Sequence, residues 1–494
     1  MFRLFSFLIV ITCNLFFFVS CKKDKLLVDP SAKISFSQDS ILFDTVFTTI
    51  GSTTRQIRVV NNNNQKINIS SVRLEKGQNS NFFLNVDGIK GKQVNDVEIL
   101  ANDSIYIFVQ VNVNPTNALS PLIINDKIVF DVNGNQQSVT LEAWGQDAHY
   151  HMPNKAIQYK NGYLPYSTVA SQNNVTVTWG GGPLGQSDDD KPHVIYGWLV
   201  VDSTQKLVIN PGIKIYFHQS AGLWVYRYGT LQVNGNLGKE VIFQGDRREE
   251  DYKDLPGQWD RIWINEGSTN NYINYAIIKN NFIGIQASIL SNPNEPRKLK
   301  ITNSIIQNCS KWGLYTQYFD VWSANSVFSN CKEYCAALTL GGNYTFLHTT
   351  FANYFNKDGG RGGQPCLHID NFDGKDVIRT DSIYIANSII EGSQANELEL
   401  DIRQSGNSNQ KCTISHCLLR SSAITNTLIT NSSNIYNKNP DFSNSANYNF
   451  TIKPTSSAVQ IGNPSILLSF PFLVNDITGR IRNTKPDAGA YSNQ

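Results

Sequence analysis

The sequence of 494 residues predicts an all-β protein, an N-terminal β-sandwich followed by a right-handed parallel β-helix. Three observations carry this expectation. The chain holds 56 Asn and 34 Gly, residues that serve tight turns, so helix-rich folds are excluded. From about Ile34 to Gly145 apolar and polar residues alternate in short runs. From Leu199 onward the pattern changes to a period of eight residues and then to a recurring hexapeptide.

Composition bounds the function before any motif is considered. At this length two or three hydrophobic cores are expected. Lys and Arg number 42 and Asp and Glu 40, a balance that argues against a nucleic-acid partner, which selects a basic face. Charged residues are 17% and hydrophobic residues 40%, so the chain is neither disordered nor short of core material. A monomer is expected.

Residues 1–20 read as an export signal. Arg3 supplies the positive start, Leu4 to Val19 an apolar run, and Ser20 a small residue before Cys21. Phe18-Val19-Ser20-Cys21 resembles the lipobox of bacterial lipoproteins. The resemblance implies cleavage before Cys21 and acylation of that residue by several chains (palmitate among them), enough for stable anchoring. Lys22 and Lys23 in place of an Asp after the modified Cys fit the outer membrane of a Gram-negative envelope. No other segment reaches the eighteen apolar residues that a span needs.

After a tether at 21–33, residues 34–147 carry Gln56-Ile57-Arg58-Val59, Lys66-Ile67-Asn68-Ile69, Ile105 to Val111 and Val139 to Ala143. Period two with turns between runs predicts half-buried antiparallel strands, about seven of which make a sandwich. Phe43-Asp44-Thr45-Val46, the run to Val60-Asn61-Asn62, and Asn102-Asp103-Ser104 before a long strand resemble Ig-like modules of bacterial proteins. That resemblance implies a spacer.

Residues 148–196 read as a connector or cap, with Gly180 to Pro183 and Asp188-Asp189-Asp190 in solvated loops. The β-helix is expected over 197–440. Leu199, Leu207, Ile215, Leu223 and Leu231 stand eight apart, one strand plus a corner, so three such legs make a coil of about 24 residues. The hexapeptide centred on Asn303 recurs around Asn325, His348, Asn387 and His416, with Tyr275 as an earlier member, at spacings of 28, 22, 23, 39 and 29. The shortest is the minimal coil and the excess is loop. Asn280, Asn308, Asn330 and Asn353 follow at a fixed offset and are expected to bond amide to amide along the axis. Cys309 and Cys331 are equivalent one coil apart. With Cys335, Cys366, Cys412 and Cys417 they show no zinc-type spacing, which argues against a metal centre. A small apolar thiol suits a tight buried stack, so packing is favoured over a disulfide, which an exported location also permits.

Lys191-Pro192-His193-Val194-Ile195-Tyr196-Gly197, Ile209-Asn210-Pro211-Gly212, Gly229 to Gly235 and Pro256-Gly257-Gln258-Trp259 resemble a group of outer-membrane lipoproteins with a pectin-lyase-like β-helix. Asp476 to Arg482 and Pro486 to Tyr491, within a closing segment at 441–494, are similar to a tail that ends many bacterial β-helices. The resemblance implies an Arg–Asp pairing that seals the last coil. It implies the fold and little of function, because the group holds lyases, hydrolases and adhesive proteins.

Alternation along one strand per coil places outward side chains in columns. One column is expected to read Gln286, Tyr315, Thr339, His368, Glu399, and the next Ser288, Gln317, Gly341, Asp370, Asp401. His368, Asp370, Glu399 and Asp401 are thus the candidate catalytic residues, and Tyr315, Gln317, Tyr318, Trp322 and Arg403 the candidate substrate-binding ones. Stacked carboxylates need a cation between them, or one must hold its proton. A protonated carboxyl suits glycoside hydrolysis, and a calcium ion, the one cofactor the pattern admits, suits uronate elimination. Asp358 to Gly363 is expected to form a flexible flap beside this patch. Trp259 and Trp263 flank a charged loop and offer sugar-stacking surfaces, with an inward slot equally open to Trp263.

Three functions remain open at this level. The first is a lipid-anchored envelope protein whose β-helix presents a groove to a glycan or envelope partner without catalysis. The second is a polysaccharide lyase or glycoside hydrolase, and the third a structural or adhesive rod.

Overall fold

The computed structural model describes residues 25–493 except 49, 116–117, 120–121, 160–161, 375–381 and 405–409. The export signal and Cys21 lie outside the described residues. The chain divides into two compact units, Met1–Asp147 and Ala148–Gln494.

The first unit is a sandwich of two five-stranded sheets. One orders Ser35–Phe36, Arg55–Val60, Ser104–Val111, Phe82–Val86 and Ile89–Gly91; the other orders Ser40–Phe47, Asn135–Gln146, Leu122–Val132, Ile67–Leu74 and Gln93–Ile99. Among the described strands of these two sheets the pairings are antiparallel except that of Ser40–Phe47 with Asn135–Gln146, which is parallel. Period-two alternation does what it must: Ile57, Val59, Ile107 and Val109 from one sheet share a core with Ile69, Val72, Phe130 and Leu141 from the other. Asn61 is fully buried at a corner, where its amide donates to the carbonyls of Gln65, Ile99 and Leu100.

The second unit is a parallel β-helix. Among the described residues its strands stack into sheets of eleven, ten and ten, here termed I, II and III. Leu199, Leu207 and Ile215 fall on consecutive strands, Trp198–Val201 in sheet II, Lys206–Ile209 in sheet III and Lys214–Phe217 in sheet I. Leu199 pairs with Leu223 and Leu207 with Leu231, so the eight-residue period is one leg of the coil. All these leucines point inward, into a core that runs from Trp179 to Ile429.

The recurring hexapeptide is the corner from sheet III to sheet I. Tyr275, Asn303, Asn325, His348, Asn387 and His416 all adopt left-handed backbone there, with φ between 45° and 54°. Asn tolerates that conformation best among non-glycine residues, which explains its frequency at this point of the repeat. The amide ladder at the next corner is shorter than expected. Asn308 donates to Asn280 at 2.7 Å, but Asn330 accepts from the backbone of Tyr354 and Asn353 donates to the carbonyl of Glu333.

The connector expected at 148–196 already supplies a strand to each sheet: His149–His151 to I, Lys155–Tyr159 and Gly162–Thr168 to II, and Thr176–Trp179 to III. Asp189 is not solvated. It is buried, bonded to His149 at 2.7 Å and Lys191 at 3.1 Å. The flap expected at Asp358–Gly363 is pinned as well, because Arg361 is buried and grips both carboxylate oxygens of Glu397 at 2.5 Å.

The closing segment lies along the flanks of the coils. Ile477 and Ala490 pack on Val327 and Ala352 of sheet I, while Ile466 and Leu473 cover Ala324, Leu347 and Ala386 at the edge of sheet III. Arg482 donates to the Asn325 side chain and to the carbonyls of Gly489 and Ala490. Asp476 and Asp487 cap backbone amides of the tail. The six cysteines among the described residues are all buried, and Cys309 stacks in register on Cys331.

Candidate functional site

The outward face of sheet II carries the site. Register partners fix its columns: Val200, Trp224, Trp263, Gln286, Tyr315, Ala337, His368 and Glu399 follow one another on successive strands. Beside them run Ser288, Gln317, Thr339, Asp370 and Asp401. Ala337 and Thr339 therefore stand where the sequence reading put Thr339 and Gly341. The strand is Ala336–Thr339, two residues earlier, and Leu340 and Gly341 form the left-handed turn after it. A two-residue slip keeps inward and outward residues apart, so alternation cannot detect it.

His368, Asp370 and Glu399 meet. His368 Nδ1 lies 2.7 Å from Glu399 Oε2 and Nε2 lies 3.0 Å from Asp370 Oδ2. Burial alone would lower the histidine, but the two carboxylate bonds outweigh it and raise its pKa above the ordinary value. His368 thus stands between the two carboxylates and bonds both of them. The other oxygen of Asp370 accepts the backbone N–H of Leu340 at 2.8 Å, which locks the carboxylate in place. Asp401 stands next to Asp370 in register without joining the triad; it pairs with Arg403 at 3.7 Å, and the Arg403 guanidinium lies over the Phe372 ring.

The aromatic residues extend the patch along the coils. Tyr315 packs on Trp312 at 4.3 Å between centroids, and Tyr334 lies 5.6 Å from the His368 ring. Burial, reinforced by the charge of Asp370, raises the Tyr315 phenol; burial and then Glu399 raise that of Tyr334. Both stay protonated donors at neutral pH. Sequence reading missed Trp312 and Tyr334. Tyr334 sits in a turn between Cys331 and Cys335, outside any alternating run.

Two expected binding residues lie elsewhere. Trp322 belongs to sheet III, and Phe470 and Phe472 of the closing segment pack over it at 5.7 and 5.9 Å. Tyr318 turns away at the left-handed corner after Gln317, with the Arg297 guanidinium 3.9 Å from its ring centroid. Trp259 is interior, stacked on Phe217 at 4.0 Å, whereas Trp263 is on the outward side of its strand but is also buried, in a cluster with Trp198 and Trp224, on which it stacks at 4.8 Å. Among the described residues no three His, Cys, Asp or Glu side chains are arranged to hold a metal ion.

No family model matches the chain. No curated protein matches it either. Among solved structures it is similar to a family 123 glycoside hydrolase from Clostridium perfringens, at 11% identity and a TM-score of 0.17, covering 24% of this chain and 30% of that one. It is also similar to the catalytic unit of a GH87 alpha-1,3-glucanase from Streptomyces thermodiastaticus strain HF3-3, at 12% identity and a TM-score of 0.29, covering 77% and 75% of the two chains. The chain thus spans less than a third of the length of the first. Likeness this distant carries no activity across.

Proposed function

We propose that this is a lipid-anchored envelope protein whose β-helix binds a glycan along the outward face of sheet II, without cleaving it. The observation that carries the reading is the outward face around Tyr315 and His368, which brings the phenols of Tyr315 and Tyr334, the Trp312 indole and the His368–carboxylate cluster close together. Aromatic faces take the apolar side of a sugar ring, and fixed polar groups beside them take its hydroxyls. Binding is favoured over catalysis because both His368 nitrogens are engaged by carboxylates, which leaves the ring no free position to accept a proton from a substrate.

The test is calorimetric binding to a panel of polysaccharides, with a reducing-end assay on the same samples. Binding without new reducing ends, weakened about tenfold (about 1.4 kcal/mol) by Tyr315→Ala, is the expected result. Binding indifferent to both Tyr315→Ala and His368→Ala overturns the reading. Turnover abolished by Asp370→Asn and Asp401→Asn would assign cleavage to the same cluster instead. For the anchor, Cys21→Ala is expected to move the protein from the membrane to the soluble fraction.

A further inference from the structure

The column that carries Tyr315 continues past Gln286 to Trp263, and there the surface opens into a pocket of about 220 Å³. Trp198 and Trp263 form its apolar wall, Tyr159 and Leu164 reach in from the first hairpin of the unit, and Arg261 and Gln286 supply polar groups. The wall is rigid. Trp263 stacks flat on Trp224, donates its indole N–H to Ser288 at 2.9 Å, and meets the edge of Tyr159 at 6.0 Å. Trp198 lies over Gly222, where any Cβ would stand 2.7 Å from the indole, so the ring has a seat that only glycine allows. Arg261 is held by Asp260 at 2.5 Å and donates to the Gln286 side chain.

We propose that the outward face of sheet II takes a neutral polysaccharide chain several sugar units long, one end of the bound segment seated in a second subsite formed by Tyr159, Trp263, Arg261 and Gln286. The proposal rests on the glycan-binding reading and deepens it. Length follows from the register. Trp263, Gln286, Tyr315, Ala337, His368 and Glu399 are successive partners, five strand steps or about 24 Å, which a mono- or disaccharide does not span. Neutrality follows from the pairing of charges. Arg261 lies on Asp260, His368 on Asp370 and Glu399, and Arg403 on Asp401, so each of these groups already faces a carboxylate, and the Lys311 ammonium is held over the Trp312 ring at 4.1 Å. Planar amide and guanidinium groups beside an indole are what hydroxyl recognition needs.

The experiment is calorimetric titration of the whole protein with neutral gluco- and manno-oligosaccharides of increasing length, from disaccharide to octasaccharide, and with oligogalacturonates as the acidic counterpart. Affinity is expected to rise at least tenfold with length in one neutral series. Tyr159→Ala and Gln286→Ala are expected to remove that gain while leaving the shortest ligands unaffected. Tyr159 is 41% exposed, so its truncation leaves the fold intact, and circular dichroism verifies this for both variants. Affinity that does not depend on length, or that favours the uronates, overturns this proposal; if Tyr315→Ala still weakens such binding, the broader glycan reading stands. Absence of binding to every series overturns both.

Discussion

His368 and Glu399, 31 residues apart in sequence, are direct register partners one coil apart, and their side chains bond at 2.7 Å. Asp370 closes on the opposite ring nitrogen. This arrangement favours the protonated form of the ring, because both of its nitrogens face carboxylates.

The histidine should therefore titrate late. Its folded pKa is raised above the unfolded value, so the stability it contributes is fully present below about pH 6.5 and is lost as pH rises through the folded value. In NMR titrations the His368 midpoint is expected above that of an exposed histidine and to fall in Glu399→Gln. A midpoint at or below the ordinary value in the native protein would contradict the triad.

A second group of histidines behaves in the opposite sense. His151 is half-buried, stacks on His193 and bonds it at 2.9 Å; desolvation first, and then the charge of His149, lower it to about 4. The unfolded chain takes up that proton first, so stability is retained above pH 6.5 and falls between about pH 6.5 and 4. The loss on this account is about 3 kcal/mol. Denaturant unfolding at several pH values should show a shallower acid loss in His151→Gln than in the natural sequence.

Arg361 and Glu397 form a buried pair, with 3% and 0% of their side chains exposed. Removing the arginine strands a carboxylate that burial already pushes up in pKa. Arg361→Met is expected to cost about 3–5 kcal/mol in unfolding free energy and to release the loop to protease. Arg361→Met combined with Glu397→Leu should recover much of the loss. If the single variant unfolds like the natural protein, the loop is not pinned as described.

Trp322 tests the assignment of faces. Because it is sandwiched against Phe470 and Phe472 on sheet III, Trp322→Ala is expected to leave glycan binding unchanged. It should cost about 2 kcal/mol and increase proteolysis within the closing segment. A selective loss of binding at normal stability would return this residue to the groove.

How much of this was legible in the residues differs from one feature to another. Leu199, Leu207, Ile215, Leu223 and Leu231 announce the coil by themselves, because one inward aliphatic residue per leg is a local requirement repeated at constant length. The sandwich is legible for the same reason, since period-two burial is written into each strand. The meeting of His368, Asp370 and Glu399 could also be read, because a short strand with alternating polarity leaves little freedom in register.

Where local pattern was ambiguous, tertiary packing decided. Ala337 rather than Thr339 stands in the Tyr315 column because a slip of two residues conserves polarity, and only the turn at Leu340 and Gly341 sets where the strand ends. Trp322 has the composition of a sugar platform, yet the closing segment, some 150 residues later by the span of the Asn325–Asn475 bond, covers its face of the coil. Arg361 sits among glycines that read as mobile, and a carboxylate 36 residues away buries it. Sequence thus determines what repeats along the chain, because repetition is local chemistry. The fold alone determines which distant segments shield a face, neutralise a charge or open a pocket, because those outcomes depend on contacts that no short window of residues contains.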